Sequence, residues 1–260
     1  MSTIVTLTTD FEEREHWVPA VKGILYSRCP GVTVVDLSHQ IGRADVVEGA
    51  LFIAGAAPYF PDGTVHLVAV ASGARPIAVS FGTHFAVCPD NGILTLLADR
   101  LPVKEVRTIT NPEFSVPQAN GQIYYAQDVF APVAASIAHH GSIEKHGPRI
   151  DDFVRLNLPR ANRPDDKHAQ GHVVHVNRFG SLITNIHRSL VEGFEVTRVT
   201  AGDFRVDQLS RSYTDVEKGF AVVLFGNAGY MEIAFNGDRA DKRLKLGAGI
   251  RVMVNIKPRA

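Results

Sequence analysis

Short β-rich segments and amphipathic helical segments alternate through the first seventy residues of the chain. Residues 4–9 (IVTLTT) predict a strand, and apolar residues recur on one helical face over residues 17–25. A second strand at 32–36, a helix from the N-cap Asp45 to Ala57 and a third strand at 64–70 continue the alternation. Strands that alternate with helices are typical of a mainly parallel sheet. The sequence therefore predicts an α/β domain in this part of the chain.

Four further segments extend the predicted domain. Residues 77–81 and 84–87 are β-rich and separated only by Gly-Thr, which predicts a hairpin added to the sheet. Residues 106–110 predict another strand. Residues 128–138 predict a compact apolar helix with Pro132 in its first turn, where the missing N–H costs little.

The sequence pattern changes from residue 147 onward. Prolines and a polar stretch around residues 159–167 indicate a connector, and only β-type patterns follow it. We therefore predict an α/β domain over residues 1–150, a connector over 151–168 and a β-barrel domain over 169–260. The strands predicted in the last domain cover residues 172–176, 196–201, 220–225, 230–235 and 250–256.

The charge balance and the cysteine content narrow the class of protein. Lys and Arg number 27, as do Asp and Glu, so the formal net charge is zero and offers no overall attraction to nucleic acid or to an anionic membrane. No apolar run approaches the length of a bilayer crossing, and the first residues lack the pattern of a signal peptide. Cys29 and Cys88 are too few for a disulfide framework. We expect a cytoplasmic protein that binds neither nucleic acid nor a membrane.

Asp10 follows the first predicted strand directly. Ligands of open α/β sheets collect outside the carboxyl ends of the strands, and a carboxylate there could accept both hydroxyls of a ribose. The alternative is that Asp10 caps the following helix. The residues alone leave both interpretations open.

Two other motifs invite a functional interpretation that their spacing does not support. His172 and His175 are three positions apart on a predicted strand and therefore point to opposite faces, so with His168 they do not predict a metal site. The Gly-Asn-Ala-Gly run at 226–229 matches neither a P-loop nor a dinucleotide fingerprint and predicts a hairpin turn. We expect no bound metal.

Seven segments in order along the chain resemble the S-adenosylmethionine hydroxide adenosyltransferase family, which is related to fluorinase and chlorinase. They are TLTTDF (6–11), VDLSHQI (35–41), YFPDGTVHLVAV (59–70), PDNGIL (89–94), QDVFAPVAA (127–135), NRFGSLITNI (177–186) and GNAGYMEIAFN (226–236). One of these segments alone would be weak, but together they span nearly the whole chain.

The resemblance implies an architecture and a reaction. The family has an N-terminal α/β domain and a C-terminal β-barrel, and it assembles as a homotrimer whose active sites lie between the first domain of one subunit and the second domain of its neighbour. Its members displace methionine from the ribose 5′ carbon of S-adenosylmethionine. Water attacks in most members and gives adenosine, whereas a halide attacks in the halogenases. No metal or organic cofactor is implied, because the sulfonium is already an excellent leaving group.

The resemblance also assigns roles to individual residues. Asp10 would hold the ribose hydroxyls, and Phe11 would shape the pocket beside it. The segment from Asn177 to Ser181 would face the methionine amine and the adenine, with Phe179 as its stacking member. In the last matching segment, backbone groups of two residues would face the adenine edge; these are Asn227 and Ala228.

The sequence departs from the family pattern where the hydrolytic members hold water. Ala71 stands in place of the family's Asp, and Tyr125 stands in place of its His, whereas Arg75 matches the family's Arg. Alanine cannot accept a proton, and a tyrosine hydroxyl is a weak base, although a positioned base typically contributes roughly 10²–10⁴-fold to a rate. Arg75 and Tyr125 are thus the candidate catalytic residues.

Two binding positions are altered as well. Asn177 replaces a family Asp that would pair with the substrate ammonium, a loss of roughly 1–3 kcal/mol if the pair is buried. Ser181 replaces an Asn that offers adenine both a donor and an acceptor. Three interpretations follow: hydrolysis of S-adenosylmethionine that is retained or impaired, a non-catalytic or repurposed binder of an adenosyl or nucleoside ligand, and transfer to a halide, which needs no base.

Overall fold

The computed structural model describes residues 3–114 and 123–259, and the chain divides into two compact units, the first ending at Leu156 and the second beginning at Asn157. The first unit contains a seven-stranded sheet whose strands are, in chain order, β1 (Ile4–Thr9), β2 (Thr33–Ser38), β3 (Val65–Ala69), β4 (Pro76–Ser80), β5 (Phe85–Pro89), β6 (Glu105–Thr108) and β7 (Arg149–Ile150). Its spatial order is β2-β1-β3-β5-β4-β6-β7.

The pairing within this sheet confirms the predicted α/β class. β1 pairs in parallel with β2 and β3, and β3 pairs in parallel with β5. β4 returns antiparallel to β5, which confirms the predicted hairpin, and β6 and β7 continue the antiparallel edge. The parallel half brings the carboxyl ends of β1, β2 and β3 to one edge of the sheet.

Helices cover both faces of the sheet. α1 (Trp17–Arg28) and α4 (Ala131–His140) share one apolar cluster with β1 and β3, and α2 (Val46–Ala56) and α3 (Thr95–Ala98) pack on the other face. The Asp45 side chain accepts the Glu48 N–H at 2.9 Å, so the predicted N-cap is confirmed. A π-helical turn (Ala126–Phe130) leads into α4, so the helix predicted over 128–138 extends further at both ends.

The second unit is an antiparallel sheet that nearly closes into a barrel, as predicted. Its strands are β8 (His168–Val176), β9 (Leu182–His187), β10 (Phe194–Ala201), β11 (Phe204–Val206), β12 (Ala221–Phe225), β13 (Tyr230–Phe235) and β14 (Arg251–Pro258). They follow the order β11-β10-β14-β8-β9-β13-β12, and the two edge strands contact each other. The sequence pattern missed β9 and β11 and began β8 four residues late. The short helix α5 (Ala240–Leu244) follows β13.

The described helices are all too short or too polar to cross a membrane. Within residues 3–114 and 123–259, no three His, Cys, Asp or Glu side chains are grouped so that they could hold a metal ion. His168 instead contacts the carboxylate of Asp165 at 2.9 Å.

Candidate functional site

The loops that follow β1, β2 and β3 meet at the carboxyl edge of the sheet. Thr9 at the end of β1 pairs with Ala69 at the end of β3, so Asp10 directly after β1 and Ala71 two residues after Ala69 lie beyond the ends of neighbouring strands. The loop after β2 leads to Ala44, just before α2. This edge is where open α/β sheets bind their ligands.

Asp10 is the centre of this loop cluster. Its Oδ2 atom accepts the backbone N–H of Ala44 at 2.9 Å and that of Ala71 at 3.2 Å. The alternative that Asp10 caps the next helix is wrong, because α1 begins only at Trp17 and the residue at its N-cap is His16. Both described hydrogen bonds use one carboxylate oxygen, so Oδ1 is left for another donor.

Three non-glycine residues around Asp10 have left-handed backbone conformations. The φ angles are 57° at Glu12, 56° at Ala44 and 50° at Ala71. This conformation costs an L-residue with a Cβ about 1–2 kcal/mol, and such strain is concentrated at functional sites. Two of these residues, Ala44 and Ala71, donate their backbone N–H groups to Asp10. The strained backbone at these positions therefore orients the two donors towards the carboxylate.

His39 holds the segment that carries Asp10. Its buried ring forms a 2.9 Å hydrogen bond between Nδ1 and Thr9 Oγ1, and its backbone carbonyl accepts the Glu12 N–H at 2.8 Å. Thr9 Oγ1 also accepts the Phe11 N–H at 3.3 Å. The other ring nitrogen, Nε2, lies 3.2 Å from Asp36 Oδ1. His39 therefore fixes the chain on both sides of Asp10.

A cavity of about 300 Å³ lies beside this segment and has aromatic walls. Phe11 and Trp17 meet edge to face with ring centroids 5.7 Å apart, and Tyr125 contributes a third ring. Ser72 and Gly73, from the loop after β3, complete the wall on that side. The structure thus brings together two of the predicted site residues, Phe11 and Tyr125.

Asp128 anchors the turn that carries Tyr125. Its buried carboxylate accepts the Tyr124 N–H at 2.6 Å, at the start of the π-helical turn. A carboxylate at the N-terminal end of a helix is favoured by the exposed N–H groups there. Neither Asp128 nor His39 was predicted as a site residue, although each lies in a segment that resembles the family.

Arg75 does not line this cavity within the described residues. Its Nε and Nη2 donate to Asp90 Oδ2 at 3.0 and 2.5 Å, and Nη2 also lies 3.4 Å from Asp152 Oδ1. The buried Asp90 carboxylate also accepts the Val154 N–H through its other oxygen at 2.7 Å. Arg75 thus joins the start of β4 to the segment after β7. Its predicted catalytic role stays a prediction.

In the barrel domain, Asn177 shapes the loop that carries Phe179 and Ser181. Its Oδ1 accepts both of their backbone N–H groups at 3.0 Å, which is an Asx-type turn. Gly180 has a φ of 83°, and a Cβ at that position would lie 2.6 Å from Asp241 Oδ1. Because the side-chain oxygen of Asn177 already accepts two N–H groups of its own loop, its main role in this structure is to hold the loop.

Phe179 and Ser181 line a cavity of about 540 Å³ in this domain. Phe179 is 78% exposed, so its ring is available to stack on a planar ligand. Tyr213 lines the same cavity and donates its hydroxyl to Glu232 Oε2 at 2.5 Å. Burial raises the pKa of the Glu232 carboxyl, and the hydrogen bond from Tyr213 opposes that shift.

Asn227 and Ala228 occupy the tip of the turn between β12 and β13, as predicted. The turn is closed by a hydrogen bond from Gly229 N–H to the Gly226 carbonyl at 2.9 Å. A Cβ at Gly226 would overlap Glu232 Oε1, so a side chain at this position would displace the Glu232 carboxylate. The turn therefore lies close to Glu232, which accepts the hydrogen bond from the Tyr213 hydroxyl.

The fold and these sites define a two-domain protein in which each domain has an aromatic-walled cavity. Sequence profiles of the two domains of one family match the chain in order: the SAM hydroxide adenosyltransferase N-terminal domain at residues 5–147 and the corresponding C-terminal domain at residues 171–253. The chain therefore belongs to the S-adenosylmethionine hydroxide adenosyltransferase family, and the predicted membership is confirmed.

Individual relatives match over nearly their whole length. An (R)-S-adenosyl-L-methionine hydrolase of Thermus thermophilus is 33% identical over 95% of this chain and 98% of its own length. A hydrolase of the same name from Salinispora arenicola is 30% identical, covering 96% of this chain and 97% of its own. A fluorinase of Nocardia brasiliensis is 28% identical, with 97% of both chains covered.

Solved structures show the same architecture. The crystal structure of an uncharacterized conserved protein from Thermotoga maritima superposes with a TM-score of 0.85 at 27% identity, over 98% of this chain and 99% of the other. A conserved hypothetical protein from Thermus thermophilus gives a TM-score of 0.80 at 31% identity, over 98% and 100% of the two chains.

Proposed function

We propose that the protein hydrolyses S-adenosylmethionine at the ribose 5′ carbon and releases adenosine and L-methionine. The observation that carries the proposal is the Asp10 arrangement, in which two strained loops orient a carboxylate beside an aromatic cavity. Family membership and relatives named as hydrolases of this substrate support it. The site requires no metal or organic cofactor, because the sulfonium leaves without assistance.

In the first domain, Asp10 binds the ribose. Its Oδ1 accepts the two ribose hydroxyls, while Oδ2 stays bound to the loop N–H groups. Phe11, Trp17 and Tyr125 enclose the sugar and the reacting carbon and limit the access of bulk water.

In the second domain, the exposed Phe179 stacks on adenine, and Ser181 and the backbone of Asn227 and Ala228 meet its edge. Asn177 maintains the loop and offers its amide to the methionine portion. We propose a homotrimer in the cytoplasm, in which a neighbouring subunit's barrel completes each site.

The chemical step is an in-line displacement. The oxygen of a water molecule forms a bond to C5′ as the C5′–S bond breaks, its electron pair goes to sulfur to give neutral methionine thioether, and the water proton passes to solvent. Ala71 cannot take that proton, so the protein contributes positioning and exclusion of water rather than strong base catalysis. Tyr125 orients the water through its hydroxyl, and a slow turnover is expected.

The fluorinase relatives suggest halide attack as a second candidate. The alignment with the Nocardia fluorinase runs over 291 positions, more than the 260 residues of this chain, so that fluorinase carries inserted segments that this chain lacks. The alignment with the Thermus hydrolase runs over only 259 positions. The comparison in length favours hydrolysis.

The test is incubation of the purified protein with the separated (R) and (S) sulfonium epimers of S-adenosylmethionine, followed by chromatography. Adenosine and methionine in equal amounts, above the level given by an Asp10→Ala variant, are the expected result. Both epimers are needed because the relatives' name specifies the (R) form. Equal background from both proteins contradicts hydrolysis, and calorimetric binding of adenosine without turnover would then identify a binder. A 5′-halogenated product that rises with added chloride or fluoride would identify halide transfer.

His39 is expected to act as a positioning residue for Asp10. Replacing His39 with alanine removes the hydrogen bond to Thr9 and lets the Asp10 segment shift, which should lower kcat/KM about 10- to 100-fold and weaken adenosine binding in parallel. His39→Asn, whose amide reaches the position of Nδ1, should recover most of both values. The control is Gln40→Ala at the exposed neighbouring residue. If His39→Ala lowers only the thermal stability and leaves adenosine affinity intact, its role is structural.

A further inference from the structure

A second cavity in the barrel domain, of about 690 Å³, shares no described lining residue with the one that Phe179 and Ser181 line. Three arginines, Arg188, Arg211 and Arg259, lie in its wall, and all three are exposed. Among its described lining residues, Glu192 is the one acidic side chain. The wall thus carries an excess of two positive charges in a protein whose formal net charge is zero.

These arginines lack the carboxylate partners that others in the domain have. Arg198, Arg205 and Arg239 each form an ion pair with an aspartate at 3.0 Å or less. No carboxylate within residues 3–114 and 123–259 forms such a pair with any of the three cavity arginines. Three exposed guanidinium groups and one glutamate in the same wall give the cavity a positive potential that attracts an anion.

Two of the guanidinium groups are held in place by neutral groups. Arg188 lies over the Phe225 ring at 5.8 Å and donates Nη2 to the Gly226 carbonyl at 3.4 Å. Arg259 donates Nε to the Phe194 carbonyl at 3.1 Å. Each guanidinium has five N–H donors, so these contacts orient the group and leave most of its donors for a ligand.

We propose that this cavity binds a phosphorylated small organic molecule. Guanidinium groups match the oxygens of a phosphate and form charge-assisted hydrogen bonds with them. The same wall also has apolar and aromatic members, Phe194, Phe225 and Leu209, which can accommodate an uncharged body that inorganic phosphate lacks. The proposal rests on the cavity alone and not on the proposed hydrolase function.

The test is isothermal titration calorimetry of the full-length protein with ADP and with inorganic pyrophosphate, in 50 mM and 200 mM salt. ADP is expected to bind more tightly than pyrophosphate, and both should weaken at the higher salt. Arg211→Gln and Arg259→Gln should each weaken ADP binding roughly tenfold or more, as expected for loss of a charge-assisted hydrogen bond. Both residues are exposed, so the variants should fold. Arg251→Gln, at an exposed arginine of the same domain outside the cavity wall, is the matched control and should bind as the unmodified protein does.

Three results would overturn the proposal. One is the absence of heat with both probes at millimolar concentration. Another is an equal loss of affinity in Arg251→Gln, which would show only general attraction to surface charge. The third is displacement of ADP by saturating adenosine, which would place ADP in the proposed substrate site. Retention of the ADP affinity in excess adenosine, together with its loss in Arg259→Gln, supports the cavity.

Discussion

Replacing Asp10 with alanine is expected to lower kcat/KM for S-adenosylmethionine cleavage by about 10²–10⁴-fold. Each hydrogen bond to a charged acceptor contributes about 1.5–3 kcal/mol, and the variant loses two of them to the ribose. It also releases the N–H groups of Ala44 and Ala71, so both strained loops lose the acceptor that orients them. Adenosine affinity, measured by calorimetry, should fall by a similar factor, because the ribose is common to substrate and product.

A neighbouring carboxylate supplies the control for this prediction. Glu12→Gln removes an exposed negative charge two residues away and leaves the hydrogen bond from the Glu12 N–H to the His39 carbonyl. Its activity should stay within a few fold of the unmodified protein. Since the N–H groups around Asp10 are partly exposed, water can replace the carboxylate and the Asp10→Ala protein should remain folded. Full activity in a folded Asp10→Ala protein would exclude the ribose role of this residue.

The fold was largely predictable because its signals are local. The spacing of apolar residues located β1 over Ile4–Thr9 without error, and Asp45 was predicted as an N-cap from its position alone. The missed strands β9 and β11 are shorter or more polar, and their pairing depends on neighbours distant in sequence.

The candidate site was predictable only in part, because its key contacts are long-range. Asp10 could be predicted to lie at the strand end, but its partners are 34 and 61 residues away in the chain. The left-handed conformations of Ala44 and Ala71 oppose the usual preference of alanine, so no local rule predicts them. The pairing of Arg75 with Asp90 depends in the same way on how β4 and β5 align.

The loop at Asn177 is one part of the site whose geometry a local rule can predict. The side chain of Asn177 bonds to the N–H two residues later, a turn that asparagine commonly forms. The resemblance suggested only a ligand contact for this residue, so the turn was not predicted. Asn177 supplies the acceptor oxygen that the loop requires without placing a charge there.

A buried histidine pair in the first domain gives the second large effect, on stability. His66 in β3 forms a 2.8 Å hydrogen bond with Thr6 Oγ1 through Nδ1, and its Nε2 lies 3.1 Å from His84 Nδ1. The two rings stack with centroids 5.3 Å apart, and both side chains are buried. Burial, reinforced by the neighbouring His84, lowers the pKa of His66 to about 3, and burial also lowers the pKa of His84.

These shifts predict loss of stability in mild acid. In the unfolded chain a histidine takes up a proton below its ordinary pKa of about 6.5, whereas folded His66 stays neutral down to about pH 3. The unfolded state therefore binds more protons in this window, and the free energy of unfolding falls as the pH drops from about 6.5 towards 3. For His66 alone the loss is about 2 kcal/mol at pH 5 relative to pH 7.5.

His66→Gln is expected to remove this part of the pH dependence. The variant should be less stable than the unmodified protein at pH 7.5, because it loses packing and the contact with His84, but the difference should shrink by about 2 kcal/mol at pH 5. Urea unfolding followed by the fluorescence of Trp17, the single tryptophan of the chain, reports on the domain that holds His66. His139→Gln, at an exposed histidine of the same domain, is the matched control and should change the pH dependence far less than His66→Gln does. A stability difference between unmodified protein and His66→Gln that stays constant from pH 7.5 to pH 5 would show that burial of His66 contributes nothing to the acid sensitivity of the domain, which would then have to come from other groups such as the buried His84.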